Sequence, residues 1–119
     1  NLAQAYIGLG NLYQYQGKFA EALVRYEQAV ALAPASLTAQ LNLGVAYANA
    51  GELAKAIAAL ENAVALAPDH APAHYNLGVV YAYQADADKA RQEFNLVLTL
   101  APGTTWAAQA GKQLQQLQP

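Results

Sequence analysis

The side chains best suited to metal chemistry in this sequence are two histidines. His70 and His74 are four residues apart, a spacing that can place two imidazoles on one face of a helix. Pro72 lies between them at an expected helix start, and only Asp69 offers a further ligand nearby. We therefore expect no metal site, with His70 solvated in a loop and His74 on a helix surface.

The hydroxyl and carboxyl groups offer no pattern for covalent or acid–base catalysis. The serines and threonines lie mostly where helices are expected to begin, where capping explains them; they are Ser36, Thr38, Thr99, Thr104 and Thr105. The chain has no cysteine, which excludes disulfides and thiolate metal sites. It also has no glycine-rich phosphate loop and no carboxylate pair on a common face. We predict no catalytic residue, no cofactor and no enzymatic activity.

Composition and charge narrow the choice of partners. The 119 residues suffice for one domain, and the net charge of −2 provides no basic surface for nucleic acid. The apolar residues are mostly alanine and leucine interrupted by polar ones, so we expect no membrane insertion. The chain opens on Asn1, which suggests a piece of a longer protein and leaves targeting open. The composition favours a bacterial source, with either cytoplasm or periplasm as the compartment.

The chain repeats itself with a constant period, which defines the elements that must position any site. Similar residues recur every 34 positions, the mark of a repeat architecture. The recurring sets are the glycines Gly10, Gly44 and Gly78; the tyrosines Tyr13, Tyr47 and Tyr81; the alanines Ala22, Ala56 and Ala90; the bulky residues Tyr26, Leu60 and Phe94; and the prolines Pro34, Pro68 and Pro102. The sequence is therefore three repeats and a tail.

These residues resemble the tetratricopeptide repeat, whose signature is W-x-x-L-G-x-x-Y…A-x-x-x-F…P. Leu9, Leu43 and Leu77 complete the match as the leucines before the three glycines. The large aromatic that opens the signature is present only as Tyr6, and its equivalents are Gln40 and His74. The resemblance covers about residues 3–104. It implies helix-turn-helix units that bind other proteins.

The resemblance implies an all-α, right-handed superhelical solenoid of three repeats with a C-terminal solvating helix, in a single domain. The expected repeats are about 3–36, 37–70 and 71–104, and the capping helix is about 105–117. First helices are expected at about 3–16, 37–50 and 71–84, and second helices at 19–32, 53–66 and 87–100. In the capping helix, one face carries Trp106, Ala110, Leu114 and Leu117 to cover the last apolar surface.

Three local features of the repeats lead to specific expectations. Gly17 and Gly51 suit turns with a positive φ angle. The third turn has Ala85 instead, so we expect it to be strained or differently shaped, with the Asp86 carboxylate capping the next helix. Gly78 lies inside a helix, where glycine costs roughly 1 kcal/mol relative to alanine. We attribute it to close helix packing, with small Ala90 opposite.

Charge is distributed unevenly among the helices. Every Lys, Arg, Asp and Glu lies in the second helices, the turns or the tail, and the first helices carry none. The resemblance implies that the first helices line a concave groove, which would therefore be uncharged. The peptide-binding residues expected there are Ile7, Asn11, Tyr15, Leu41, Asn42, Val45, Asn49, Tyr75, Asn76, Val79 and Tyr83.

The uncharged groove predicts the kind of ligand. Some family members grip the acidic C-terminus of a heat-shock chaperone with cations and asparagines. The asparagines of that clamp correspond to Asn11 and Asn42, but its cationic positions are Ile7, Pro72 and Asn76. We therefore expect a protein or peptide ligand, extended or helical, that is not an acidic tail.

The groove asparagines suggest how such a ligand is held. Asn42 and Asn76, one repeat apart, can each hold a peptide backbone unit. A similar asparagine ladder lines the protein O-linked N-acetylglucosamine transferases, although Gly8 interrupts it here. Two alternatives to peptide binding stay open. One is self-association or packing against another domain, and the other is a recruiting arm of a larger enzyme.

Overall fold

The chain folds into helices joined by short turns. The computed structural model describes residues 1–117, and within them there are seven α-helices and no strand. The helices are α1 (Leu2–Tyr15), α2 (Phe19–Leu32), α3 (Leu37–Asn49), α4 (Leu53–Leu66), α5 (Ala71–Tyr83), α6 (Ala87–Leu100) and α7 (Thr105–Leu117). The all-α prediction is confirmed. The second helices α2, α4 and α6 occupy the predicted ranges, and the first helices end one residue early.

The helices stack in chain order to form an elongated solenoid. Each helix packs against the next, and the odd-numbered helices α1, α3, α5 and α7 also contact one another in succession. The molecule measures 43 × 25 × 22 Å. Its largest fully buried side chains are Tyr26, Leu60, Phe94, Val80 and Val97. The core therefore runs along the whole stack, between first and second helices.

The recurring glycines Gly10, Gly44 and Gly78 make room for the bulky residue of the following helix. A Cβ placed on Gly78 would lie 2.8 Å from the ring of Phe94, and one on Gly44 would lie 2.6 Å from Leu60. Both distances are shorter than a van der Waals contact, so a Cβ at either position would clash. The packing role expected for Gly78 is confirmed. The residue opposite it is the large Phe94 rather than the expected Ala90. Ala90 is itself fully buried in the same cluster.

The three turns within the repeats share one backbone shape. Gly17 and Gly51 both have φ of 79°, and Ala85 has φ of 62°. In each turn the amide of this residue donates to the carbonyl three positions earlier, and the next amide donates to the carbonyl five positions earlier. The expectation of a different shape at Ala85 is wrong, whereas strain is present, because alanine there occupies the left-handed region. Asp86 caps α6 as predicted, since its Oδ1 accepts from the Lys89 amide at 3.2 Å.

Polar residues replace the first signature aromatic without being exposed. His74 is 4% exposed, so its predicted position on the helix surface is wrong. Its Nε2 is 2.6 Å from the carbonyl oxygen of Pro68, and its Nδ1 is 2.7 Å from Oε1 of Glu93. Gln40 has the same role in the preceding repeat, where its Nε2 donates to the carbonyl of Pro34 at 2.9 Å. Both polar side chains can be buried because each forms a hydrogen bond with the linker that precedes its own helix.

The last helix packs against the third repeat. Ala107 and Ala110 are buried, and Trp106, Leu114 and Leu117 pack against the cluster around Phe94. α7 begins 34 residues after α5, at the position of a further first helix. It therefore continues the row of first helices. None of the helices described for residues 1–117 is long and apolar enough to cross a membrane.

Candidate binding groove

The row of first helices and α7 forms a groove with two adjoining pockets. The turn-side pocket, of about 550 Å³, is lined by Val45, Ala48, Asn49, Gly51, Leu53, Leu60, Asn76, Val79, Val80 and Tyr83. The amide pocket, of about 460 Å³, is lined by Asn11, Gln14, Tyr15, Tyr26, Leu41, Asn42, Val45, Pro72, Asn76 and Trp106. Val45 and Asn76 belong to both, so the pockets are continuous. No charged side chain of residues 1–117 lines either pocket.

The pockets bring together most of the residues predicted from the sequence. Asn11, Tyr15, Leu41 and Asn42 lie in the amide pocket. The turn-side pocket contains Asn49, Val79 and Tyr83, while Val45 and Asn76 connect the two. These residues come from α1, α3 and α5, so three successive first helices contribute to one surface.

Two predicted groove residues lie elsewhere. Ile7 is 9% exposed and packs with Ala29 and Ala39 between α1, α2 and α3. Tyr75 lies between two aromatic rings, with its centroid 5.7 Å from that of Phe94 and 5.5 Å from that of Trp106. The Tyr75 hydroxyl also accepts a long hydrogen bond, 3.4 Å, from Gln113 of α7. Neither residue lines either pocket.

Three asparagine amides line the amide pocket. Asn11 Oδ1 accepts from the Tyr26 hydroxyl at 2.6 Å and is 3.5 Å from Nδ2 of Asn42. Within residues 1–117, the side chain of Asn76 makes no hydrogen bond, and neither does Nδ2 of Asn11. Asn11 lies about one helical turn after Gly8, so it continues the row of asparagines that Gly8 interrupts in the sequence. The amide pocket therefore presents donors and acceptors that the fold does not use.

Several lining residues are absent from the predicted set, and among them Tyr26, Gln14 and Trp106 bring polar or aromatic groups into the amide pocket. Tyr26 is a core residue packed under Gly10, and burial raises the pKa of its hydroxyl. That hydroxyl reaches the pocket floor and also lies 2.9 Å from Oε1 of Gln14. For Trp106 the sequence pattern predicts only a role in covering the core. Trp106 lies 34 residues after Pro72, which also lines the amide pocket. This repeat spacing is the sequence feature that indicates a groove position for Trp106.

Tyrosines flank the groove at its rim. Tyr15 ends α1 and is 92% exposed, and Tyr83 ends α5 and is 73% exposed. Each of them lines one of the pockets. Large amphipathic rings in such positions contribute contact area at little entropic cost. They enlarge the apolar surface that a ligand can bury.

Metal binding finds no support in the described residues of the chain. No group of three or more His, Asp or Glu side chains there is placed to hold a metal ion. Both ring nitrogens of His74 are taken up by Pro68 and Glu93. His70 precedes α5 as its N-cap residue and makes no side-chain capping bond.

The fold and the repeat signature agree with a family comparison. The sequence profile of the tetratricopeptide repeat matches residues 7–71 and 49–104. The chain belongs to the tetratricopeptide repeat family, whose domains are protein-interaction modules. No curated protein sequence matches the chain.

Solved structures with the same fold include peptide-binding domains. The first TPR domain of Spaghetti (RPAP3), bound to the HSP90 peptide SRMEEVD, has a TM-score of 0.90 at 25% identity and matches 98% of this chain and 90% of that one. MamA has a TM-score of 0.85 at 31% identity, over 98% of this chain and 72% of its own. YrrB, described as a TPR protein with an unusual peptide-binding site, has a TM-score of 0.87 at 28% identity, over 94% and 58%.

Proposed function

We propose that the chain binds a partner protein by holding an extended, uncharged peptide segment in the groove. The observation that carries this is the row of Asn11, Asn42 and Asn76 along an uncharged pocket. A side-chain amide offers two donors and an acceptor, which match the N–H and C=O of a peptide unit. A helical ligand uses those backbone groups internally, so the amides favour an extended one.

The apolar lining supports the same ligand. Leu41, Val45 and Val79 provide aliphatic contacts along the groove, and Trp106 provides an aromatic one. Burying such surface supplies affinity, while the amides fix the position of the ligand backbone. Proteins with this fold bind peptides, as the Spaghetti domain does with SRMEEVD.

An acidic C-terminal tail is the less suitable ligand. The clamp positions that carry cations in family members are Ile7, Pro72 and Asn76 here. Ile7 is buried, and Pro72 and Asn76 are uncharged side chains of the amide pocket. A carboxylate entering this pocket would lose water without gaining a cation.

A selected neutral peptide tests the proposal. Short displayed peptides without Asp, Glu, Lys or Arg are screened against the chain, and calorimetry measures the best binder. Asn42→Ala with Asn76→Ala should weaken binding about tenfold or more with little change in melting temperature. The matched control is Asn62→Ala with Asn95→Ala, which removes two exposed amides from α4 and α6.

Two results would contradict the proposal. One is an equal loss of affinity in the control pair, and the other is a large drop in melting temperature for the groove pair. The acidic-tail alternative is tested in the same instrument with SRMEEVD. We expect its free-acid and C-terminally amidated forms to bind equally weakly, and a strong preference for the free acid would restore the clamp.

A further inference from the structure

The outer face of α1 exposes apolar residues that are buried in the other repeats. Leu9 is 41% exposed and Leu12 is 52% exposed. Their equivalents in α3 and α5 are 2–8% exposed: Leu43, Ala46, Leu77 and Val80. These two repeat positions therefore belong to the core in α3 and α5 but to the surface in α1.

The other repeats show what covers this face. Leu23 and Val30 of α2 pack against the cluster that contains Leu43 and Ala46 of α3. The equivalent residues of α4, Ile57 and Val64, pack in the cluster that contains Leu77 and Val80. In both cases a helix with two aliphatic residues seven positions apart lies across the first helix.

A hydrogen bond accompanies each of these contacts. The Tyr47 hydroxyl donates to Oε2 of Glu27 at 2.6 Å, and the Tyr81 hydroxyl donates to Oε2 of Glu61 at 3.2 Å. Tyr13 has the same position in α1, but no carboxylate of residues 1–117 accepts from its hydroxyl. The covering helices thus share one pattern, Leu or Ile, then Glu four residues later, then Val seven residues later.

We propose that the outer face of α1 is a second docking surface, which binds an amphipathic helix of a partner polypeptide carrying this pattern. The helix lies across Leu9 and Leu12 as α2 lies across α3, and its glutamate accepts from Tyr13. The aliphatic residues supply the buried area and the charge-assisted hydrogen bond sets the register. This surface is separate from the groove, because Leu9 and Leu12 line neither pocket.

A second copy of the chain does not offer the required helix. The α2 and α4 helices have the pattern, but their faces are already packed against α3 and α5. In α6 the three positions are Arg91, Asn95 and Leu98, which lack both the first aliphatic residue and the carboxylate. Within residues 1–117, therefore, no helix combines this pattern with a free face, and the occupant is a helix from outside that range.

A peptide copied from α4 tests the surface directly. The probe spans residues 52–67 with blocked ends, and it contains Ile57, Glu61 and Val64. Because an isolated helix of this length is marginal, binding will be weak, and NMR of the isotope-labelled chain is the suitable readout. We expect saturable shifts at the methyl groups of Leu9 and Leu12. Tyr13→Phe and the Glu61→Ala peptide should each weaken binding about tenfold, and combining them should cause little further loss.

Matched charge substitutions separate docking from general effects. Leu12→Lys should abolish the shifts, whereas Val24→Lys, at a site 49% exposed on α2, should leave them unchanged. Circular dichroism should show both variants folded, since both sites are exposed. Shifts confined to Asn42 and Asn76, or no saturable shifts, would overturn the proposal without touching the groove proposal. A dimer in sedimentation that Leu12→Lys dissociates, together with failed peptide binding, would instead assign the face to a second copy.

Discussion

At the scale of single residues, Ala85 is the position where the sequence and the backbone conflict. The turn requires a positive φ, which glycine adopts freely at Gly17 and Gly51, whereas alanine incurs a steric penalty. The turn nevertheless keeps the hydrogen bonds of the other two. The rest of the repeat therefore fixes this shape, and the strain remains stored at Ala85.

Ala85→Gly should stabilise the protein. Relief of the left-handed strain outweighs the greater freedom of glycine in the unfolded chain, for a net gain of about 0.5 to 1 kcal/mol. We expect the melting temperature to rise by roughly 2 to 5 °C in thermal denaturation. The control is Ala50→Gly, at a neighbouring turn position with φ of −82°, which should destabilise. The same sign for both variants would show that strain is not the cause.

His74 illustrates what residue type alone could not predict. A histidine near a helix start is usually exposed, and no sequence pattern indicates that Pro68 and Glu93 converge on its ring. Pro68 is in the preceding linker and Glu93 is on the next helix, so the site exists only after the helices pack. By contrast, the role of Gly78 follows from its recurrence with Phe94, since both positions repeat together.

At the scale of elements, tyrosine–glutamate hydrogen bonds join one repeat to the next. Tyr47 of α3 contacts Glu27 of α2, and Tyr81 of α5 contacts Glu61 of α4. Burial, together with the neighbouring carboxylate, raises the pKa of each tyrosine to about 12. The folded chain therefore favours the protonated phenols more strongly than the unfolded chain does.

This shift predicts a loss of stability in alkali. Below pH 10 both states hold the phenol protons, so the stabilisation is fully present; above pH 10 the unfolded tyrosines ionise first, and it disappears as the pH approaches 12. Tyr47→Phe with Tyr81→Phe should be destabilised at pH 8, and its difference from the wild type should shrink at higher pH. Denaturant midpoints across this range measure both effects.

Tyr15 provides the control for the alkaline experiment. Its ring is 92% exposed, and within residues 1–117 its hydroxyl makes no hydrogen bond. Tyr15→Phe should therefore leave both the stability at pH 8 and the pH profile unchanged. If it altered the profile as much as the paired substitution, the loss in alkali would reflect general ionisation rather than the links between repeats.

At the scale of the whole molecule, the burial of a first helix depends on the second helix that precedes it in the stack. Each first helix after α1 is covered by the second helix before it, and α7 covers the end of the stack. Identical sequence positions therefore differ in their contribution to stability according to their place in the stack. The buried leucines of α3 and α5 should therefore contribute more to the free energy of unfolding than the exposed leucines of α1.

Leu43→Ala and Leu9→Ala form a matched pair that measures this difference. Both remove the same atoms at the same repeat position, but Leu43 is 6% exposed and Leu9 is 41% exposed. We expect Leu43→Ala to lower the free energy of unfolding by about 2 to 5 kcal/mol, because it opens a cavity. Leu9→Ala should cost about 1 kcal/mol or less. Equal losses in chemical denaturation would mean that the outer face of α1 is covered in solution.

The sequence predicted the architecture better than the groove. The 34-residue period located the helices and turns, because each repeat solves the same packing problem. Ile7, Leu41 and Tyr75 share one repeat position, but only Leu41 lines a pocket, because Ile7 packs with Ala29 and Ala39 and Tyr75 lies between Phe94 and Trp106. Tyr26 was missed because its ring belongs to the core while its hydroxyl belongs to the pocket. A two-way division into core and surface does not describe such a side chain.

Trp106 gives the protein a built-in optical probe. It is the only tryptophan of the chain, it lines the amide pocket, and its ring is 5.5 Å from that of Tyr75. A ligand that enters the pocket must change the solvation of the indole, so its fluorescence should shift in wavelength or intensity without any attached label. A helix that docks on the outer face of α1 leaves the indole untouched. A single titration can therefore tell which of the two surfaces a partner uses.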